Sequence, residues 1–415
     1  MDNKNGIKEK DLRILTVCGG FLFLSGFNTY MERTAKKIYG GAAILAIGAF
    51  IAKLLGALYR VPLTNVLGGE GLGLYQMIFP LYCLLLDFAG SGVPNALSKI
   101  ISGYNGIDKD KNALGVFIGS VKVLAVSGII GTALMLALSG VIAKFQGNPN
   151  AFIGYVFLAP SVFAVAIISC FRGYFQGKMN MTPTAVSQIT EQAVKLAFGL
   201  FFAYIFMPNV PLAAGGAALG VTVSEFITLF ALYVLYKKDK KKNGFNFVYD
   251  KSLFSKNAKQ LFRITLPVTL LGIAIPLSQV ADSFIIVNIL NGYRQDATSL
   301  YGIFTGAVNS VVSLPVAVCY GIASVAIPAV SGAKDGTGKD GASLTLVLTF
   351  VASAVFAAAL YIFSPLAVRI LFSSLSPSER GLTVELLKIS SVGVIFLSLL
   401  QTQNAVMIGL NKLYD

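Results

Sequence analysis

The hydrophobic positions along this chain mostly run together. They neither alternate at a period of two nor keep to a single face at a period of 3.6. Ten such runs, broken by short polar or glycine-containing stretches, cover roughly 38–66, 73–101, 113–143, 151–176, 184–207, 212–236, 261–290, 298–330, 342–363 and 383–409. A helix satisfies its own backbone hydrogen bonds, so an apolar run of about 20 residues can cross a bilayer. Barrel strands would show shorter segments of alternating polarity. The pattern predicts an all-α polytopic membrane protein.

The runs repeat. Asn65-Val-Leu-Gly68-Gly69 matches Asn288-Ile-Leu-Asn291-Gly292 at an offset of 223, and Leu74-Tyr75 matches Leu300-Tyr301 at 226. Gly92 matches Gly321 at 229, and Gly177 matches Gly409 at 232. Both copies start on the same side, which predicts a parallel repeat: two pseudo-symmetric helical lobes around a central cavity. The expected organisation is an N-terminal extension over 1–36, a six-helix lobe over 37–236, a basic cytoplasmic linker over 237–260 and a four-helix lobe over 261–415. The extension carries a 16-residue apolar stretch, Leu12 to Phe27, short for a span, and Met31 is the expected functional start. At an offset of 232, Asp415 corresponds to position 183, ahead of the fifth span. The second lobe is therefore expected to be truncated, lacking two helices.

Composition agrees with the pattern: 55% of residues are hydrophobic and 13% charged, with a mean hydropathy of +0.73, against about a quarter charged in soluble domains. The net charge of +14 would suit nucleic acid, but its placement points elsewhere. Twenty Lys and Arg fall in loops on the side of the segment before Lys37 and five on the opposite side. That asymmetry is the positive-inside signature of a membrane protein with its basic loops in the cytoplasm. The lysines of 237–260 would also meet anionic lipid heads. The chain has no histidine, and its four cysteines, Cys18, Cys83, Cys170 and Cys319, are far apart. No metal-ligand spacing or catalytic triad is present, and no cofactor is expected.

Charge inside a span costs about 2.5–3.5 kcal/mol per residue at the helix centre, so each such residue is a candidate for function. Lys53 and Arg60 lie seven residues apart on one face, in a small and polar stripe of Ala49, Lys53, Gly56, Arg60 and Thr64. They read as a grip on a phosphate-bearing anion, Arg60 offering its planar fork. The structural alternative is pairing with acids of neighbouring helices. Asp87 sits where Gly90, Gly92 and Pro94 loosen the second run. Gln188, Glu191, Gln192 and Lys195 form a polar face, with Glu191 and Lys195 in the i,i+4 arrangement of a mutual pair. In the repeat, Lys53 and Arg60 map onto Pro276 and Ser283; the second lobe's first helix carries Gln279 and Asp282 instead. Asp282 is a candidate for binding H+ or Na+, or for pairing with Lys53 or Arg60. Glu225 and Lys122 are single intramembrane charges expected to be paired internally. The run GGEGLG follows a helix and lacks the GxGxxG spacing, so it reads as a turn and not as a phosphate loop.

Three stretches, LLGALYRVPLTNVLGGEGLGLYQ, SGVPNALSK and RGYFQGKMNMTPTAVSQITEQ, resemble the stage V sporulation protein B-like branch of polysaccharide flippases. That branch lies in the multidrug/oligosaccharidyl-lipid/polysaccharide exporter superfamily. Lys53-Leu-Leu-Gly56 stands where the lipid II flippases carry Arg-x-Leu-Gly, and their second-helix arginine has no clear match here. The resemblance implies alternating access and transport, without enzymatic turnover, of a polyprenyl-diphosphate-linked oligosaccharide. Lipid II or another cell-envelope precursor is the implied passenger, with a coupling cation, H+ or Na+, as a further partner. The alternative is a cation-coupled multidrug exporter of the same fold. That reading calls for net acid in the cavity, whereas the pair on the first helix, Lys53 and Arg60, is basic.

Overall fold

The computed structural model describes residues 9–88, 92–104, 109–243, 251–331 and 337–409. These form eleven α-helices: α1 (Glu9–Leu86), α2 (Val93–Ser102), α3 (Lys109–Phe145), α4 (Phe152–Gly177), α5 (Thr182–Ile205), α6 (Val210–Asn243), α7 (Lys251–Asn291), α8 (Ala297–Gly302), α9 (Asn309–Ser331), α10 (Thr337–Leu371) and α11 (Pro377–Gly409). A π-helical segment, Ile303–Val308, joins α8 to α9. Among the described residues there is no strand.

Two runs that the sequence separates by a turn fall within α1, which doubles back on itself. Tyr59 and Tyr75 are sixteen residues apart, about 24 Å along a straight helix, yet their ring centroids lie 6.4 Å apart. The reversal needs a single residue, Gly68, at φ 65° and ψ −171°. A side chain disfavours that region, so glycine suits the position. The glycine turn expected over 68–73 is therefore shorter than its glycines suggest, because Gly69 to Gly73 are already helical. The second limb ends at Leu86, and a π turn at Asp87 and Phe88 precedes α2, whose first turn holds Pro94. The run 73–101 is thus two helices. The expected linker also differs. α6 continues to Asn243 and α7 starts at Lys251, so most of 237–260 is helical, in keeping with the good helix propensity of lysine.

Eight segments of the described residues are long and apolar enough to cross a membrane. One of them, Ala43–Leu86, contains both limbs of the hairpin; α5 falls short of the threshold because its first half is polar. Ile129, Ile130, Ile362, Phe363 and Ile389, all more than half exposed, present their side chains outward from the helical body, as lipid-facing residues do.

The helices pack in two groups. α3 to α6 pack on one another, with α2 against α4, and α9 to α11 form the second group. α1 touches both, and α7 packs against α1, α2 and α3. One core is built on Tyr59, Leu63, Tyr75, Met77, Tyr155 and Leu158; another holds Val311, Val312, Phe372, Leu387 and Val394. The groups approach most closely between the second limb of α1 and α8. A Cβ on Gly302 would lie 2.3 Å from the Gly73 nitrogen and 2.6 Å from the Gly69 oxygen, backbone atoms that cannot rotate away.

Around this crossing, at the end of the molecule away from the basic loops, side-chain amides tie one group to the other. Asn65 Nδ2 donates to the Leu371 carbonyl (2.7 Å), and its Oδ1 accepts from the Ser374 hydroxyl (3.0 Å) and amide (3.3 Å). Its repeat partner Asn288 donates to the Phe145 carbonyl (2.8 Å), and Asn291 to the Gly147 carbonyl (2.9 Å). Asn65 thus caps the end of α10 in the second group, while its repeat partner Asn288, on α7, caps the end of α3. Gln146 Nε2 donates to the Ser283 hydroxyl and to the Met77 carbonyl, each at 2.9 Å. The Ser299 hydroxyl donates to Glu379 at 2.6 Å. Deeper in, Gln76 Nε2 donates to the Thr305 carbonyl (2.9 Å), inside the π segment where the helical hydrogen-bond ladder is interrupted.

Candidate functional site

Between the two groups lies a cavity of about 560 Å³. Its wall is made of Lys53, Gly56, Tyr59 and Arg60 on the first limb of α1 and Tyr75, Gln76 and Phe79 on the second. Arg172 of α4 and Gln188, Glu191, Gln192 and Lys195 of α5 close one side. Ser313, Val316 and Ala317 of α9 and Leu397 and Gln401 of α11 close the other. Arg60 is eight residues from Gly68, about 12 Å along the helix, so the cavity lies on the basic-loop side of the asparagine ties.

The first limb of α1 lines this space for the reason its pattern suggests. Ala49, Lys53, Gly56 and Arg60 face the cavity, while Ile47 and Leu58 are 59% and 47% exposed on the outside. Thr64, next on the stripe, is buried and returns its hydroxyl to the Arg60 carbonyl at 2.8 Å. The polar face of α5 supplies the second set. At these positions the residues fall on one face of each helix, and tertiary packing turns both faces toward the same space.

The charges do not pair as the spacing suggests. Glu191 accepts from Arg172 at 2.9 Å and from Gln192 at 3.1 Å, in place of the expected Lys195. Arg172 Nε also donates to the Ser187 hydroxyl at 3.0 Å, fixing the guanidinium against α5. A fork held by a hydroxyl and a carboxylate outcompetes a flexible lysine on the carboxylate's own helix. Lys195 instead lies 5.8 Å from the centroid of the Tyr59 ring, within cation–π range. Among the described residues, no carboxylate lies within 4.0 Å of the Arg60 or Lys195 side-chain nitrogens. The wall carries four cations, Lys53, Arg60, Arg172 and Lys195, against the single carboxylate Glu191, a net of three positive charges.

Other candidates lie elsewhere. Asp87 is in the π turn at the end of α1, and Gln279 and Asp282 are exposed on α7; none of the three lines the cavity. Asp282 forms no ion pair with Lys53 or Arg60 among the described residues. Glu225 is buried in α6, where its Oε1 accepts from the Tyr82 hydroxyl at 3.3 Å, a hydroxyl standing in place of the expected cation. Lys122 is exposed on α3.

The sequence reading missed Arg172, Gln76 and Gln401. Arg172 lies inside α4, five residues before its end, close to the basic loop that follows. Gln76 and Gln401 are neutral polar residues within apolar runs, a weaker form of the signal that marks Lys53 and Arg60.

The polysaccharide biosynthesis protein family profile matches residues 38–334. Stage V sporulation protein B of Bacillus subtilis (strain 168) is 28% identical over 297 residues, 70% of this chain and 57% of that protein. The lipid II flippase MurJ of the same organism is 27% identical over 321 residues, 72% of this chain and 58% of that protein. The chain therefore spans little more than half the length of these relatives. Among solved structures, an inward-facing multidrug resistance MATE family transporter of the MOP superfamily superposes with a TM-score of 0.65. The overlap covers 87% of this chain and 81% of that one at 15% identity, a likeness of fold.

Proposed function

The chain belongs to the polysaccharide biosynthesis protein family, and from that premise we propose that it flips a polyprenyl-diphosphate-linked oligosaccharide across the bacterial cell membrane. The observation that carries this reading is the positive cavity: Arg60 and Lys195 face it with no acid within ion-pair distance among the described residues, while its one carboxylate is held by Arg172. A cation left unmatched in a low-dielectric space favours an anion. Each contact at 4 Å amounts to about 4 kcal/mol at an effective dielectric near 20, before desolvation. In this reading Arg60, Lys195 and Lys53 hold the diphosphate, the polar wall takes the sugars, and the polyprenyl chain stays in lipid.

The basic loops face the cytoplasm in this scheme, which puts the cavity on the loading side and the asparagine ties on the exit side. Residues 37–236 and 261–415 act as the two moving lobes. The drive is an ion gradient, the membrane potential or removal of product. Asp87, Gln279 and Asp282, standing off the cavity, are left out of the substrate site.

The shared fold supports a second reading, a cation-coupled multidrug exporter. A net of three positive charges around the cavity repels organic cations and disfavours it. Flipping of a fluorescent polyprenyl-diphosphate oligosaccharide in proteoliposomes separates the two. Arg60→Ala and Lys195→Ala should each slow flipping at least tenfold. Unchanged rates in both variants would exclude the anion grip.

A further inference from the structure

The cavity wall holds three side-chain oxygens whose hydrogen-bonding capacity the protein leaves unused, the Tyr59 hydroxyl and two amide oxygens. Gln188 Oε1 and Gln401 Oε1 are both buried with no hydrogen-bond partner among the described residues. Both residues line the cavity, Gln188 from α5 in one helix group and Gln401 from α11 in the other. A buried amide oxygen without a partner is costly, and native proteins keep few of them. Two such oxygens on opposite walls of one cavity call for a common explanation, and a ligand that supplies donors provides it.

We propose that Gln188 and Gln401 form a glycosyl-binding clamp, their oxygens accepting from hydroxyl or acylamino N–H groups of the sugar that follows the diphosphate. This deepens the proposed function and rests on it. The cavity's charge selects the donor. An ammonium group would also donate, but the net of three positive charges repels it, which leaves neutral hydroxyl and amide donors. Arg60 and Lys195 then recognise the diphosphate, common to every polyprenyl-linked precursor, while the glutamines report whether a sugar is attached. Because the two oxygens come from different helix groups, a sugar that engages both also bridges the lobes. An unglycosylated polyprenyl diphosphate has no such hold.

Two probes test this on the full chain in nanodiscs: farnesyl diphosphate, and the same lipid diphosphate carrying N-acetylglucosamine. The wild type should bind the glycosylated probe more tightly. Gln188→Leu and Gln401→Leu should each weaken that probe three- to tenfold, as the loss of one hydrogen bond does, and leave farnesyl diphosphate unchanged. Neither variant should lower the melting temperature, because the lost acceptor has no partner in the protein. The clamp is overturned if both probes weaken equally, if neither weakens, or if the variants melt earlier, which would make the oxygens structural. Failure of the wild type to bind farnesyl diphosphate would overturn the diphosphate site itself, and the clamp with it. Tight binding of farnesyl diphosphate with no preference for the sugar would sink the clamp alone.

Discussion

Removing the Asn65 side chain should loosen the end of the molecule that the two helix groups close together. In Asn65→Ala three hydrogen bonds to the α10–α11 turn disappear: those to the Leu371 carbonyl (2.7 Å), the Ser374 hydroxyl (3.0 Å) and the Ser374 amide (3.3 Å). A net bond is worth about 0.5–1.5 kcal/mol. The Ser374 contacts are exposed and one is long, so the set amounts to about 2 kcal/mol, or a ~30-fold shift toward the separated arrangement. Asn288→Ala, at the equivalent position, loses one tie between α7 and α3, to the Phe145 carbonyl at 2.8 Å. Its second bond, to the Phe284 carbonyl, is internal to α7. The expected shift there is about 1 kcal/mol, or ~5-fold. Nitroxide labels at Asn150→Cys, in the α3–α4 turn, and Ser373→Cys, in the α10–α11 turn, would report the separation by double electron–electron resonance once the four native cysteines are replaced. The short-distance population should fall in both variants and fall further for Asn65→Ala. Equal distributions, or a larger effect at Asn288, would refute the assignment of these bonds as ties between the lobes.

Four further outcomes follow from the same geometry. Gly68→Ala places a Cβ at φ 65° and should cost about 1–2 kcal/mol, seen as a lower melting temperature in detergent. Arg172→Met leaves Glu191 partly buried without its cation; it should destabilise by about 1–3 kcal/mol, an effect the double change with Glu191→Met largely restores. Glu225→Gln should stay within about 1 kcal/mol of the parent, since the Tyr82 hydroxyl can donate to an amide oxygen as well as to a carboxyl; a larger loss would show a charge pair. At the α7–α8 turn, Arg294 forks Asp296 at 2.8 and 2.9 Å and holds its carboxyl below the usual range. A depressed carboxyl contributes stability above its unfolded value of about 3.9, lost as pH falls through the folded value. Asp296→Asn should therefore lower the melting temperature slightly at neutral pH, where the carboxylate's contribution is fully present, leave it unchanged at low pH, and so flatten the acid limb of the melting curve.

Much of this molecule was legible along the chain. Apolar runs long enough to span a bilayer are a one-dimensional signal, because each helix satisfies its own backbone. The stripe of Ala49, Lys53, Gly56 and Arg60 could be assigned to one face because helical spacing alone sets it. The repeat that equated Asn65 with Asn288 was equally a property of the letters, although nothing in them told that the two would cap the ends of α10 and α3. Tertiary structure decided which faces meet. It turned the polar side of α5 toward the α1 stripe, brought Arg172 to Glu191 in place of Lys195, and left Asp282 away from the cavity. It also added Gln401 from some two hundred residues downstream of Gln188. Helix formation depends on neighbours within four residues, and sequence reports those. A cavity and its charge balance depend on distances between helices far apart in the chain, which only packing sets.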